Sequence, residues 1–175
     1  DGPAPISEAQ DAPIIIAGFG RYGQIVGRLL YANGLKATVL EHSADQVESL
    51  RKFGWRVFYG DATRLDLLRV AGAGSAKVLV VAVDDVEQSL AVVDLALQHF
   101  PQLTLVVRAR NAQHWYELDK RGVAHIERET FDSALMSART VLETVGFEPH
   151  QARTLAMKFR RHSIRQLHEL APHYG

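Results

Sequence analysis

The chain has no cysteine, so neither disulfides nor thiolate chemistry can operate in it, which fits a reducing compartment. It has no net charge either: 20 Lys and Arg face 20 Asp and Glu, leaving no broad basic field for DNA or RNA. No apolar run approaches the roughly 18 residues of a membrane span, and no signal peptide is visible. There is no internal repeat and no low-complexity segment. The eight histidines (42, 99, 114, 125, 150, 162, 168 and 173) are scattered and make no metal spacing. Nothing resembles a nucleophile elbow or a P-loop, and Asp84 and Asp85 are adjacent, so their side chains diverge. No catalytic residue and no metal ligand is predicted.

What is present is a soluble globular composition, 47% hydrophobic and 23% charged over 175 residues, with one domain as the prior. Residues 1–13 are polar and rich in Pro and Ala and read as a linker or cloning remnant. The stretch that organises the rest is Ile14-Ile15-Ile16-Ala17-Gly18-Phe19-Gly20-Arg21-Tyr22-Gly23. An apolar strand ends in a G-x-G-x-x-G turn, and a helix follows with Ile25, Val26, Leu29 and Leu30 expected on one face. One glycine permits the turn, one lets backbone approach a phosphate, and one allows close helix–strand packing. Free N–H groups at the helix start favour an anion. The plain alternative is a tight strand–helix turn with no ligand.

The remaining pattern alternates. Strands are predicted at 37–41, 56–59, 78–83, 103–108 and weakly at 125–127. Helices are predicted at about 22–33, from Ser43 and Gln46 as a capping box through Val47, Leu50 and Phe53, from Thr63 as cap to Val70, from Asp85 as cap to about Phe100, and at 112–121. This is an α/β fold, a doubly wound parallel Rossmann-like sheet of order 3-2-1-4-5-6, with its ligand crevice at the carboxyl ends of the strands. Two further helices follow, one carrying Phe131, Leu135, Ala138, Leu142 and Val145, the other spanning about 149–170. Such a pair packs on a partner subunit or covers the chain's own sheet; both remain open. The layout is 14–128 for the nucleotide-binding domain and 129–175 for a dimer-related helical extension.

Glu41 ends the second strand 18 residues after Gly23, where a carboxylate accepts from ribose hydroxyls and disfavours a 2′-phosphate; a surface acid is the alternative. Asp61, Ala62 and Thr63 either line an adenine pocket or form a plain cap loop. Of Asp84 and Asp85 one caps a helix, and the other faces the ribose-phosphate region or solvent. Arg108 and Arg110 suit phosphate or carboxylate contact, or else a surface ion pair. Arg160-Arg161-His162 is by default a solvated helix face.

Three stretches carry a family resemblance: the glycine turn through Gln24; Leu50-Arg51-Lys52-Phe53-Gly54 with Val57-Phe58-Tyr59-Gly60-Asp61-Ala62-Thr63-Arg64; and Glu127-Arg128-Glu129-Thr130-Phe131. From residue 14 to about 170 the chain resembles the KTN/RCK regulatory domain of Kef-type, glutathione-gated potassium efflux systems of Gram-negative bacteria. The resemblance implies a homodimer joined to the membrane transport domain of the same polypeptide, on the cytoplasmic face of the inner membrane, with an ancillary activating subunit in some systems. It implies AMP or NAD(H) held by Gly18, Gly20, Gly23, Glu41, Asp61, Ala62 and Thr63; Phe19 and Arg21 within the glycine turn and Asp84 at the end of the fourth strand complete the candidate nucleotide-binding residues. It implies glutathione near the dimer interface, at Arg28, Phe53, Arg128 and Ser163, with glutathione closing and bulky S-conjugates opening the system. Relatives often carry Asn where this chain has Ser163, a shorter side chain that still hydrogen-bonds. The competing class is an NAD-dependent oxidoreductase fragment or a soluble NAD-sensing regulator. The former needs a catalytic Lys, His or Tyr at the nicotinamide, and none is found. A redox-sensing DNA-binding regulator is opposed by zero net charge and the lack of a helix-turn-helix segment.

Overall fold

The computed structural model describes residues 12–170. The predicted linker lies almost wholly outside the described residues, and His173 lies outside them too. The elements run β1 (Ile14–Ala17), α1 (Arg21–Ala32), β2 (Ala37–Glu41), α2 (Ala44–Lys52), β3 (Arg56–Tyr59), α3 (Leu65–Val70), β4 (Val78–Val81), α4 (Val86–His99), β5 (Thr104–Ala109), α5 (Ala112–Lys120), β6 (His125–Arg128), α6 (Glu129–Thr144) and α7 (Pro149–Leu170). The sheet order is β3-β2-β1-β4-β5-β6, as the alternating pattern predicts. Two compact units are distinguished: residues up to Val107 with Val123–His125, and Arg108–Gly122 with Ile126 onward.

In the first unit β1 is buried on both faces, which is why it is a continuous apolar run. Ile15 and Ile16 are fully covered, and burying each such side chain contributes roughly 1.5–3 kcal/mol. Parallel register sets Ala17 level with Leu40 on one side and with Val81 on the other, and Glu41 level with Tyr59. The exits of four strands therefore open side by side, and the residues just beyond them share one crevice.

Several local expectations are corrected. Helix α1 buries Gly23 and Gly27 with Tyr22, Val26 and Leu30 partly covered, whereas Ile25 and Leu29 are each 67% exposed. The two glycines explain the rotated face. A Cβ on Gly27 would stand 2.8 Å from the Phe19 ring, so the helix can approach the sheet only along its glycine side. Helix α2 ends at Lys52, so Phe53 is its exposed C-cap rather than a residue of the helix. Thr63 does not cap α3; Arg64 holds that position, and the Thr63 N–H donates to Asp61 Oδ1 at 2.9 Å. The capping box is half made. Ser43 Oγ accepts from the Gln46 N–H, but the Gln46 side chain turns away to the glycine turn.

The second unit is mainly helical, with the end of β5 and most of β6. Helix α5 buries His114, Trp115 and Leu118, and α7 buries Ala152, Ala156 and Leu167. Helices α6 and α7 pack together through Phe131 stacked on Phe159 at 6.1 Å between ring centres, and Arg160 reaches Asp132 at 3.6 Å. Helix α6 buries no residue fully. Its apolar side forms with α7 an open groove of about 420 Å³ lined by Phe131, Leu135, Ala138, Leu142, Leu155 and Phe159.

Candidate functional site

The crevice of the first unit is built on the turn between β1 and α1. Gly18 adopts φ +92°, and a Cβ there would meet the Ala82 carbonyl and the Val83 nitrogen at 2.8 Å. Gly23 is equally constrained, because a Cβ would run into the Gly18 carbonyl oxygen. Gly20 differs: it is the N-cap of α1, its φ is an ordinary −74°, and a Cβ there meets nothing within 4 Å. No side chain caps this helix. Its first N–H groups thus face a crevice that Gly20 itself helps to line.

The turn is pinned at Phe19. Its N–H donates to Glu41 Oε1 at 3.1 Å, its carbonyl accepts from Gln46 Nε2 at 2.6 Å and Gln24 Nε2 at 3.1 Å, and its ring is buried edge-on against Trp55. Glu41 is 7% exposed, and its second oxygen accepts from the Ser43 N–H at 2.9 Å. Each carboxylate oxygen keeps a further lone pair for a ligand. Asp61, Ala62 and Thr63 form the opposite wall. The Thr63 backbone N–H holds the Asp61 carboxyl below the usual range, the Thr63 hydroxyl adding to it, so Asp61 is ionised near neutrality. Asp84 lines the crevice, and Asp85 caps α4 by accepting from the Gln88 N–H at 2.9 Å. The crevice encloses about 130 Å³. Gly18, Phe19, Gly20, Glu41, Asp61, Ala62, Thr63 and Asp84 all border it; Arg21 and Gly23 do not, one being exposed and the other packed inside α1. Sequence reasoning missed Gln46, Gln88 and Val92 as lining residues. The available signal was that strand exits and helix starts are neighbours in a parallel sheet, so the first turn of α2 and the first two turns of α4 must also face it.

In the second unit Arg108 and Arg110 both pair with Glu129, at 3.4 and 3.5 Å, which is the ion-pair alternative for these two. Arg128 donates to Ser163 Oγ at 3.0 Å, and its guanidinium carbon lies 3.7 Å from the centre of the Phe131 ring. Burial lowers its pKa from the ordinary value, with Asp132 opposing and Arg160 adding to the effect. A guanidinium has five N–H donors, so these contacts leave capacity for an anion. The N-termini of α5 and α6 meet there around a hollow of about 150 Å³ lined by Arg110, Asn111, Arg128 and Thr130. Arg128 and Ser163 are thus brought together; Arg28 and Phe53 are exposed residues of the first unit, Arg28 reaching Gln24 at 3.4 Å. The sequence assigns His114 no role beyond being one of the scattered histidines. It is fully buried, and its Nδ1 accepts from the Arg110 N–H at 3.0 Å. Burial first, then Arg108, Arg110 and Arg121, lowers its pKa to about 4. Among the described residues no group of three His, Cys, Asp or Glu could hold a metal ion, and no helix is long and apolar enough to cross a membrane.

The model of the TrkA-N domain matches residues 14–129, more than half of the chain. The chain belongs to the TrkA-N domain family. The model of the potassium efflux system KefB C-terminal domain matches residues 133–175 beyond the TrkA-N domain. The chain is 51% identical over 158 residues to the glutathione-regulated potassium-efflux system protein KefC of Escherichia fergusonii, covering 90% of this chain and 26% of that protein. The KefC proteins of Escherichia coli strains are 50% identical over the same length. The chain therefore spans about a quarter of the length of these curated relatives. Among solved structures, the Shewanella denitrificans Kef CTD in AMP-bound form superposes with a TM-score of 0.82 at 43% identity, covering 93% of this chain and 99% of that one. The TrkA-N domain of Escherichia coli inner membrane protein ybaL gives 0.68 at 25% identity, covering 76% and 96%. The TrkA-N domain accounts for the sheet and its glycine turn, and the second match begins inside α6.

Proposed function

We propose that this chain is the cytosolic ligand-sensing module of a potassium/proton efflux antiporter, holding an adenine nucleotide and gated by glutathione. The carrying observation is the crevice at Gly18–Gly20. Its uncapped helix start suits a phosphate, Glu41 suits ribose hydroxyls, and the Asp61–Thr63 wall suits a base. An acid at Glu41 favours AMP or NAD(H) over a 2′-phosphorylated dinucleotide, and the AMP-bound Shewanella domain at 43% identity supports AMP. Arg21, exposed beside the turn, is the proposed outer phosphate contact, while Gly23 acts through packing.

Glutathione carries two carboxylates, and Arg128, held by Ser163 and Phe131 beside two helix N-termini, is the proposed anchor for one. Arg28 is the proposed partner of the other, and Phe53, 79% exposed, is the side chain that a bulky S-conjugate displaces. The open apolar side of α6 supports a homodimer. Gating then follows from different affinities of glutathione and its conjugates for two dimer arrangements. The module binds and does not turn over its ligands. In the full-length protein it sits on the cytoplasmic face of the inner membrane, tethered to the transport domain and open to an ancillary activating subunit. Mass spectrometry of the ligand released from the purified domain tests the reading: AMP or NAD(H) supports it. An empty crevice that added AMP does not stabilise against heat refutes it.

A further inference from the structure

Helix α7 carries the cations Arg153, Lys158, Arg160, Arg161 and Arg165 against a single acid, Glu169. Its buried line is Ala152, Ala156 and Leu167, with Ser163 half-buried between the last two. Lys158, Arg161 and Arg165 each stand two residues from Ala156 or Ser163, which is about 200° round a helix of 3.6 residues per turn. They therefore lie on the outer side of α7, and all three are exposed. Spacings of three and four residues set them on one stripe roughly 10 Å long. The other two cations are engaged, Arg160 with Asp132 at 3.6 Å and Arg153 with His150 at 3.4 Å. Lys158, Arg161 and Arg165 make no hydrogen bond or ion pair among the described residues. Like charges at this spacing repel, so the stripe costs the helix stability rather than adding to it. Met157, 53% exposed, stands one turn before Arg161 on the same side.

We propose that this outer face of α7 docks on an anionic lipid surface. The inference rests on the reading of the chain as a module tethered to a membrane transport domain, and it adds a contact that the tether does not itself require. The chain spans about a quarter of its potassium-efflux relatives, so the proposed tether holds it beside a membrane. Charge complementarity does the rest. Each Lys or Arg near an anionic leaflet strengthens partitioning about fivefold, so three together supply about a hundredfold. Their long stems let the charged heads reach the lipid headgroups, and Met157 offers a small apolar contact at the interface. A nucleic acid is opposed by the zero net charge of the whole chain. On its inner side the same helix holds Ser163 against Arg128, so lipid docking and the proposed glutathione anchor share one rigid element.

The test is co-sedimentation of the purified domain with equimolar phosphatidylglycerol–phosphatidylcholine vesicles at about 50 mM KCl, where exposed charges are weakly screened. The expected result is binding to these vesicles, none to pure phosphatidylcholine, and release at about 500 mM KCl, where the screening length falls to a few ångströms. The triple variant Lys158→Gln, Arg161→Gln, Arg165→Gln is expected to bind at least about tenfold more weakly. The triple Lys36→Gln, Arg69→Gln, Lys77→Gln removes the same charge from exposed positions elsewhere, and is expected to stay within about twofold of wild type. Circular dichroism checks that both variants fold. Equal weakening in the two triples would reduce the attraction to net charge and overturn the proposal. So would an absence of binding to the anionic vesicles, or binding that the α7 triple leaves unchanged; the stripe then faces solvent or an acidic protein. Thermal stabilisation by AMP, measured on the same samples, reports the nucleotide reading separately, so the two readings fail in different ways.

Discussion

The three motif glycines separate into two kinds, and substituting each by alanine distinguishes them. At Gly18 a Cβ would stand 2.8 Å from backbone atoms of Ala82 and Val83 at φ +92°, and at Gly23 it would collide with the Gly18 carbonyl. Neither neighbour is a side chain that can swing aside, so Gly18→Ala and Gly23→Ala are expected to destabilise the domain by about 2 kcal/mol or more. Gly20→Ala meets no protein atom. Alanine is a poorer N-cap than glycine by about 0.5–1 kcal/mol, while the loss of unfolded-state entropy returns about 0.4–1 kcal/mol. The two nearly cancel, and the change in stability is expected to stay within about 0.5 kcal/mol. The added methyl instead projects into the crevice, where a phosphate would approach the α1 N–H groups. Weakening one charge-assisted hydrogen bond costs about 1.5–3 kcal/mol, or a ten- to hundredfold loss of AMP affinity. Urea unfolding of ligand-free protein and calorimetric titration with AMP measure the two effects separately. If Gly20→Ala keeps native AMP affinity, the phosphate does not approach that helix start and the reasoning fails.

Arg128→Ala is expected to abolish the glutathione-dependent rise in melting temperature while leaving AMP stabilisation intact, and Ser163→Ala to weaken it severalfold; an unchanged shift at saturating glutathione refutes the site. His114, neutral in the native state with a pKa of about 4 against 6.5 unfolded, contributes stability that is fully present above pH 6.5 and lost as the pH falls towards 4. Urea unfolding of ligand-free wild type should show a loss on the order of 2–3 kcal/mol across that window. His114→Asn, whose side-chain oxygen can replace Nδ1 as acceptor, should flatten it. If the proposed homodimer forms through the open α6 groove, Leu142→Glu is expected to shift the light-scattering mass towards monomer without loss of helicity; an unchanged mass refutes that interface.

The strand order was legible because every strand is a short apolar run followed by a helix start, and β1 needs no polar face. The buried face of α1 was misread because Ile25 and Leu29 outweigh two glycines on any hydrophobicity count. Yet the glycines are what permit contact with Phe19, and the bulkier residues are left outside. Thr63 was misplaced as a cap because Asp61, two residues earlier, captures its N–H. Glu41 and the Asp61–Thr63 wall could be found from strand ends alone. Gln46 could not, since its local pattern satisfies a capping box and only the tertiary neighbour redirects it. His114 carries no sequence signal at all. Its burial depends on the fold around α5, and its acceptor role at Nδ1 depends on the Arg110 backbone.

Glu41 shows why site and scaffold cannot be divided cleanly in this crevice. Both its oxygens already hold backbone N–H groups, one on the glycine turn and one at the start of α2. Removing the carboxylate would leave the buried Phe19 N–H and the partly buried Ser43 N–H without acceptors, at about 1–3 kcal/mol for the buried one and less for the other, before any ligand is considered. A lost affinity in Glu41→Ala would therefore report the collapse of the turn as much as a missing ribose contact. Gln46 is in the same position, because its amide holds the Phe19 carbonyl from the other side. The turn is thus preorganised by side chains that also line the crevice, and binding requires little rearrangement of Phe19. A nucleotide that fits so rigid a seat gains affinity but has little conformational change to drive. That favours constant occupancy over signalling at this crevice, and places the proposed gating burden on Arg128 and the open face of α6.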